Sequence, residues 1–162
     1  MKKIIQRLRS FIRGSLNDIT PSETITESKD KWNKLSNENS RYYIMSNYGK
    51  EIDENLFKES GEKDYVRLIR SDEIIKQKLQ PFNEKNVLEI GCGTGRLSEF
   101  FSDSFAEITG IDIAEAMIDG ARKRLIGKKN ARFVSTGGVA FPVPDNSIDF
   151  IFSYIVFQHM PD

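Results

Sequence analysis

Apolar positions along this 162-residue chain fall into two regimes. Up to about residue 80 they recur at helical spacing in a charged background; beyond residue 85, short β-rich runs alternate with helical stripes. Ile4, Ile5, Leu8, Phe11 and Ile12 step at i, i+3, i+4 and i+7, which predicts an amphipathic basic helix over residues 1–13, ended by Gly14. Residues 24–30 read as loop, rich in Ser, Thr and charge. Spaced aromatics follow, Trp32, Tyr42, Tyr43 and Tyr48 among them, and suggest a helical or irregular arm packed over a larger body. Tyr65, Val66, Ile69, Ile74, Ile75 and Leu79 support a helix over residues 62–79, before the break at Pro81.

Then the period changes. Strands are expected over residues 87–90, 107–111, 131–134 and 148–153. Between them, Leu97, Phe100 and Phe101 form one helical stripe, and Ala114, Met117, Ile118, Ala121 and Leu125 form another, stopped by Gly127. Strands alternating with helices predict an α/β fold: a Rossmann-like parallel sheet with flanking helices and an N-terminal helical extension. Two parts result, an N-terminal basic helix with a polar, aromatic arm (residues 1–60) and a core (residues 61–162).

Composition narrows the function. With 38% hydrophobic residues the chain can build a packed core, which excludes wholesale disorder. Lys and Arg number 24 and Asp and Glu 24, so no nucleic-acid partner is expected. The Arg122, Lys123 and Arg124 cluster reads as cations at a helix C-terminus. Cys92 is the single cysteine, which excludes an intramolecular disulfide and suits a reducing, cytoplasmic setting. No metal-ligand spacing exists. The longest apolar stretch, residues 150–157, is too short to span a bilayer. Residues 1–13 lack the uninterrupted apolar run of an export signal; weak membrane-surface contact and docking on the chain's own domain both remain open for them.

The chemistry concentrates after the first strand. Glu89 precedes Gly91, Gly93 and Gly95, and the helix that follows points its first amides at whatever the turn holds. Asp112 ends the second strand about 20 residues on, the spacing at which a carboxylate reaches ribose hydroxyls; the competing reading is a helix cap. A dinucleotide fingerprint requires glycine at the sixth position, where Arg96 stands, so a nicotinamide oxidoreductase is disfavoured. A P-loop fails for want of Gly-Lys-Ser/Thr.

Three stretches, VLEIGCGTGRL, ITGIDIAEAMIDGA and FPVPDNSIDFIFSYIVFQHMPD, come in the order and spacing of the class I S-adenosylmethionine-dependent methyltransferases, which residues 85–162 resemble. The resemblance implies S-adenosyl-L-methionine as cofactor and methyl transfer to an unidentified acceptor, a small molecule or glycan. It implies that Gly91, Gly93 and Gly95 lie beside the methionine moiety and that Glu89 orients the turn or the ammonium group. By the same resemblance Asp112 binds the ribose, Ile113 packs on adenine, Gly138 and Val139 line its edge, and Ser153 faces the methionine end. Many members carry an acid after the third strand, where this chain has Ser135-Thr136-Gly137-Gly138. His159, the sole histidine, is a candidate base on the acceptor side or a structural side chain. The family's core continues for about three further strands, so the chain reads as C-terminally truncated, with strands ordered 3-2-1-4. The alternative function is a non-catalytic module that binds adenosyl ligands.

Overall fold

The computed structural model describes residues 25–138 and 140–159. The basic helix expected at residues 1–13 lies outside them, as does Val139.

A four-stranded parallel sheet, ordered β3-β2-β1-β4, organises the chain. Its strands are β1 (Asn86–Ile90), β2 (Glu107–Asp112), β3 (Ala131–Ser135) and β4 (Phe150–Ser153). This is the order that the family resemblance implied. In register, Glu89 lies beside Gly110 of β2 and Phe152 of β4, and Ile90 beside Ser153. Alternation along β1 divides the core. Val87 joins Ile108, Phe101, Phe105, Tyr65 and Ile69 on one face, while Leu88 and Ile90 join Ile111 on the other. Both faces are covered, which is why the strands read as near-continuous apolar runs.

Helix α1 spans Ile25–Ile44, so residues 25–30, read as loop, are helical. Its weak local propensity is overridden by packing on α5 (Glu115–Arg124), where Asn33 Oδ1 accepts the Ala116 amide at 3.1 Å. At Asn39 the helix kinks (φ −165°, ψ 82°), and the Asn39 carboxamide caps the following turn by accepting the Tyr42 amide.

The helix expected over residues 62–79 is in fact three pieces. α2 (Glu54–Tyr65) starts earlier, capped by Asp53, and runs through residue 60; a π-helical turn follows at Val66–Arg70. Asp72 then caps α3 (Glu73–Leu79) by accepting the Ile75 amide at 2.8 Å. A side chain that caps a new helix competes with continuation of the old one, and periodicity alone does not register that. α4 (Ser98–Ser104) and α5 follow β1 and β2 as the apolar stripes predict, and Gly127 (φ 92°) sits just past α5. Among the described residues no helix is long and apolar enough to cross a membrane.

Candidate functional site

In an open parallel sheet the carboxyl ends of the strands, where the connections diverge, are where a ligand finds room. Here those ends hold the glycine turn. Gly91, Gly93 and Gly95 take φ values of 69°, 54° and 81°, the left-handed region that L side chains avoid. At Gly91 a Cβ would come within 2.2 Å of the Val156 side chain, so both conformation and space demand glycine. The turn is laced to β2: the Gly91 and Cys92 amides both donate to the Ile111 carbonyl, at 2.7 and 3.0 Å.

Two carboxylates lie at this turn. Asp112 Oδ2 accepts the Gly93 amide at 3.0 Å and Oδ1 accepts the Ala114 amide at 2.9 Å. Asp112 thus ties the glycine turn to the entry of α5, while the N-cap position itself is Ala114. A carboxylate has about four acceptor sites, so some of its capacity is left for hydroxyls. Burial pushes this carboxyl above its ordinary range, offset by those amides and that of Ile113.

Glu89 is 4% exposed. Strand alternation turns it toward α4, where Ser98 Oγ donates to Glu89 Oε2 at 2.5 Å. Burial pushes Glu89 up to about 7, with Asp112 adding to the rise; the Ser98 bond and the Arg96 guanidinium pull it down. Cys92, between these acids, has a thiol raised well above its ordinary value by burial and by both carboxylates. It is a protonated, buried side chain, donating to the Gly93 carbonyl at 3.6 Å, and no nucleophile.

The remaining expected residues also collect here, with one exception. Ile113 and Gly138 are neighbours: a Cβ on Gly138 would lie 3.8 Å from Ile113 Cδ1 and 3.3 Å from Ile25 Cγ2 of α1. In place of a family acid after β3, Ser135 Oγ donates to the Ile113 carbonyl at 3.5 Å and the Thr136 amide to the Asp112 carbonyl at 2.9 Å. Ser153 ends β4 beside Ile90, and its Oγ is buried with no hydrogen-bond partner, as is that of Thr94 in the turn. An orphaned buried hydroxyl costs about 1–3 kcal/mol, a debt that a polar ligand at the sheet tips would remove. Val139 is the exception, outside the described residues. His159 is exposed, edge-on to Trp32 with centroids 5.2 Å apart and its Nε2 3.0 Å from Gln158 Nε2. An open groove of about 640 Å³, lined by residues including Arg70, Phe82 and Ser104, adjoins the start of β1, at the opposite end of the strand from the turn.

Several residues at the site carry no sequence signal. Arg96, noted only as the wrong residue for a dinucleotide, is 7% exposed and bonds Asp64 Oδ2 at 2.8 Å and Ser60 Oγ at 3.3 Å on α2. Arg124, read with its neighbours as dipole compensation, donates through Nε to the Thr94 carbonyl at 3.1 Å, lies over Phe57 and pairs with Glu54 at 2.5 Å. Ile44 reaches over Gly93. These partners lie 30 or more residues apart in the chain, a separation at which spacing carries no information.

Residues 87–162 match the family described as methyltransferase domain. A ubiquinone biosynthesis O-methyltransferase of Nitrosospira multiformis is 35% identical over 81 residues, 48% of this chain and 34% of its own length. A malonyl-[acyl-carrier protein] O-methyltransferase of Ilyobacter polytropus is 31% identical over 109 residues, 63% of this chain and 40% of its own. The chain thus spans well under half the length of these relatives. Among solved structures, phosphoethanolamine N-methyltransferase 1 of Haemonchus contortus superposes with a TM-score of 0.64 at 18% identity, over 85% of this chain and 28% of that one. Magnesium protoporphyrin IX methyltransferase from Synechocystis gives 0.58 at 18% identity, over 88% and 67%; both share the fold. Residues 87–162 thus match a methyltransferase domain, and the chain shares the fold of solved methyltransferases.

Proposed function

We propose that the protein binds S-adenosyl-L-methionine at the sheet tips and transfers its methyl group to a small acceptor. One observation carries the reading: a side-chain-free turn at positive φ is bonded to the carboxylate at the tip of the neighbouring strand, Gly93 N to Asp112 Oδ2 at 3.0 Å. The residues fit that ligand. The turn supplies backbone approach, Asp112 retains acceptor capacity for the ribose hydroxyls, and Ile113 with Gly138 offers an apolar slot for adenine, with Val139 assigned to its edge by the family pattern. By the family pattern Glu89 orients the turn or the ammonium group, and Ser153 has a free hydroxyl for the methionine end. When bound, the donor supplies an electrophilic methyl on a sulfonium; the acceptor's lone pair takes the carbon as the C–S bond electrons return to sulfur. The protein's share of such a displacement is alignment and exclusion of water.

The acceptor is read from the relatives, which are named for ubiquinone biosynthesis, malonyl-[acyl-carrier protein] and phosphoethanolamine. They favour a small molecule over a glycan. A base is needed only if the acceptor arrives protonated; His159, just after β4, is the candidate for that or a structural side chain. The buried free thiol of Cys92 suits a reducing, cytoplasmic setting.

Calorimetric titration with S-adenosylmethionine and S-adenosylhomocysteine, followed by label transfer from methyl-labelled donor to a panel of hydroxyl, carboxyl, amine and glycan acceptors, tests the reading. Saturable binding with transfer is expected. Binding without transfer to any acceptor makes the chain an adenosyl-binding module, and absence of binding overturns both.

A further inference from the structure

Two arginines near the end of α5 are used differently. Arg122 is half exposed and pairs with Glu115 and Asp119 of its own helix. The Arg124 side chain is 12% exposed, a burial that compensating a helix dipole does not require. Its seat is made by α2: Nη1 and Nη2 donate to the two carboxylate oxygens of Glu54, at 2.5 and 3.1 Å, and the guanidinium lies 4.7 Å from the centre of the Phe57 ring. Glu99 of α4 stands 3.6 Å away. A charge covered to this extent is tolerated when it is paired and its other donors are used. The nitrogen left over by the carboxylate fork, Nε, donates to the Thr94 carbonyl at 3.1 Å. Thr94 sits between Gly93 and Gly95, and α5 closes on it: a Cβ on Gly120 would come within 2.7 Å of Thr94 Cγ2. The turn is thus tied at two successive residues, Gly93 through its amide to Asp112 and Thr94 through its carbonyl to Arg124. Glu54 has a second partner in Arg41 of α1, which donates to Oε2 at 2.6 Å and to the Ile52 carbonyl at 3.2 Å. Arg41 lies three residues before Ile44, the α1 residue that reaches over Gly93.

We propose that Arg124 is a positioning residue for donor binding: seated on Glu54, it holds the Thr94 carbonyl and fixes the glycine turn at a second point beside the Asp112 bond. This rests on the donor reading above. The turn offers the donor backbone rather than side chains, so affinity depends on where its peptide groups stand. Without the Arg124 bond, the Thr94 peptide lies between two glycines whose backbone freedom lets it rotate. Arginine is required for the double duty. A lysine ammonium serves the Glu54 carboxylate as a point charge but has no second nitrogen fixed toward the carbonyl.

The experiment is S-adenosylhomocysteine affinity, by calorimetry, for wild type, Arg124→Lys, Glu54→Gln and the double variant, with a thermal melt on each and Arg122→Lys as the control on the same helix end. Arg124→Lys is expected to melt within about 4 °C of wild type, since the ion pair persists, yet to bind about five- to tenfold more weakly, as loss of one hydrogen bond implies. Glu54→Gln leaves the guanidinium without its charged seat and weakens binding about threefold. Both changes act through one bond, so the double variant binds no more weakly than Arg124→Lys alone. Arg122→Lys binds as wild type does. Wild-type affinity in Arg124→Lys shows that charge alone suffices and overturns the proposal. So does a loss of affinity no larger than the loss of folded protein, or a double variant in which the two losses multiply. Should Arg124→Lys fail to fold, Glu54→Gln decides: weaker binding by the folded variant supports the proposal, and wild-type binding overturns it. If wild type itself does not bind, the donor reading fails first and this one with it.

Discussion

The glycine turn and the helix that covers it are built on opposite plans. Around the turn almost every polar group is answered from inside the protein: the Gly91, Cys92 and Gly93 amides by β2, Glu89 by Ser98, and Arg96 by α2. Helix α1 lies over this region for 20 residues, yet Ser28 is its single buried residue. Among its contacts are the Asn33 bond to the Ala116 amide, an Arg41–Glu54 ion pair at 2.6 Å, apolar tips such as Ile25 and Ile44, and Trp32 edge-on to exposed His159. The turn is rigid because its geometry is over-determined; the cover is attached by separable contacts, which is how a site that must admit ligand can stay ordered at its floor.

That contrast can be broken by substitution. The largest effect is expected beneath the turn. Phe101 is fully buried and in contact with Tyr65, Phe105 and Phe152, so Phe101→Ala should cost about 3–5 kcal/mol in a urea titration.

Glu89→Gln comes next, and its sign depends on pH. The folded carboxyl is raised to about 7 from 4.5. Below the lower value both folded and unfolded chains hold the proton. Between the two the unfolded chain alone ionises, so wild-type stability falls as pH rises across that window, by about 3 kcal/mol. The variant should lack that decline and be the more stable protein at pH 8, while binding the donor at least about tenfold more weakly, a trade between stability and function. Equilibrium unfolding at pH 4.5, 6 and 8 checks the slope; parallel curves for the two proteins would refute it.

Gly91→Ala follows, at about 2 kcal/mol for the left-handed backbone and the displaced Val156 side chain, with donor affinity lost along with the turn. Smallest is Trp32→Ala in the cover, about 1 kcal/mol by thermal melt, with donor affinity changed less than about threefold. A Trp32 effect as large as that of Phe101 would mean that α1 is core, and would erase the contrast.

How much of this was legible beforehand follows the range of the interactions. The parallel sheet was legible from strands alternating with helices, and its order from the family resemblance. The Gly91–Gly95 turn and Asp112 were visible because ligand geometry imposes a short, fixed spacing, and the structure brings them within one hydrogen bond. Residues 25–30 were misread as loop because their helicity depends on α5, some 90 residues later. The Asp72 cap was present in the sequence as an Asp two residues before the Ile74-Ile75 pair, but a continuing apolar stripe masked it.

Amino-acid order alone thus determined the parallel α/β core, the side-chain-free turn and the carboxylate at the next strand's tip, since each is written in residues close in sequence. Only the folded chain decided that Arg96 turns to Asp64, that Arg124 braces Thr94 and that Val156 closes over Gly91. Those pairings join segments whose meeting is set by how helices settle on the sheet, and a side chain buried by that settling takes whichever partner satisfies its charge or fills its space.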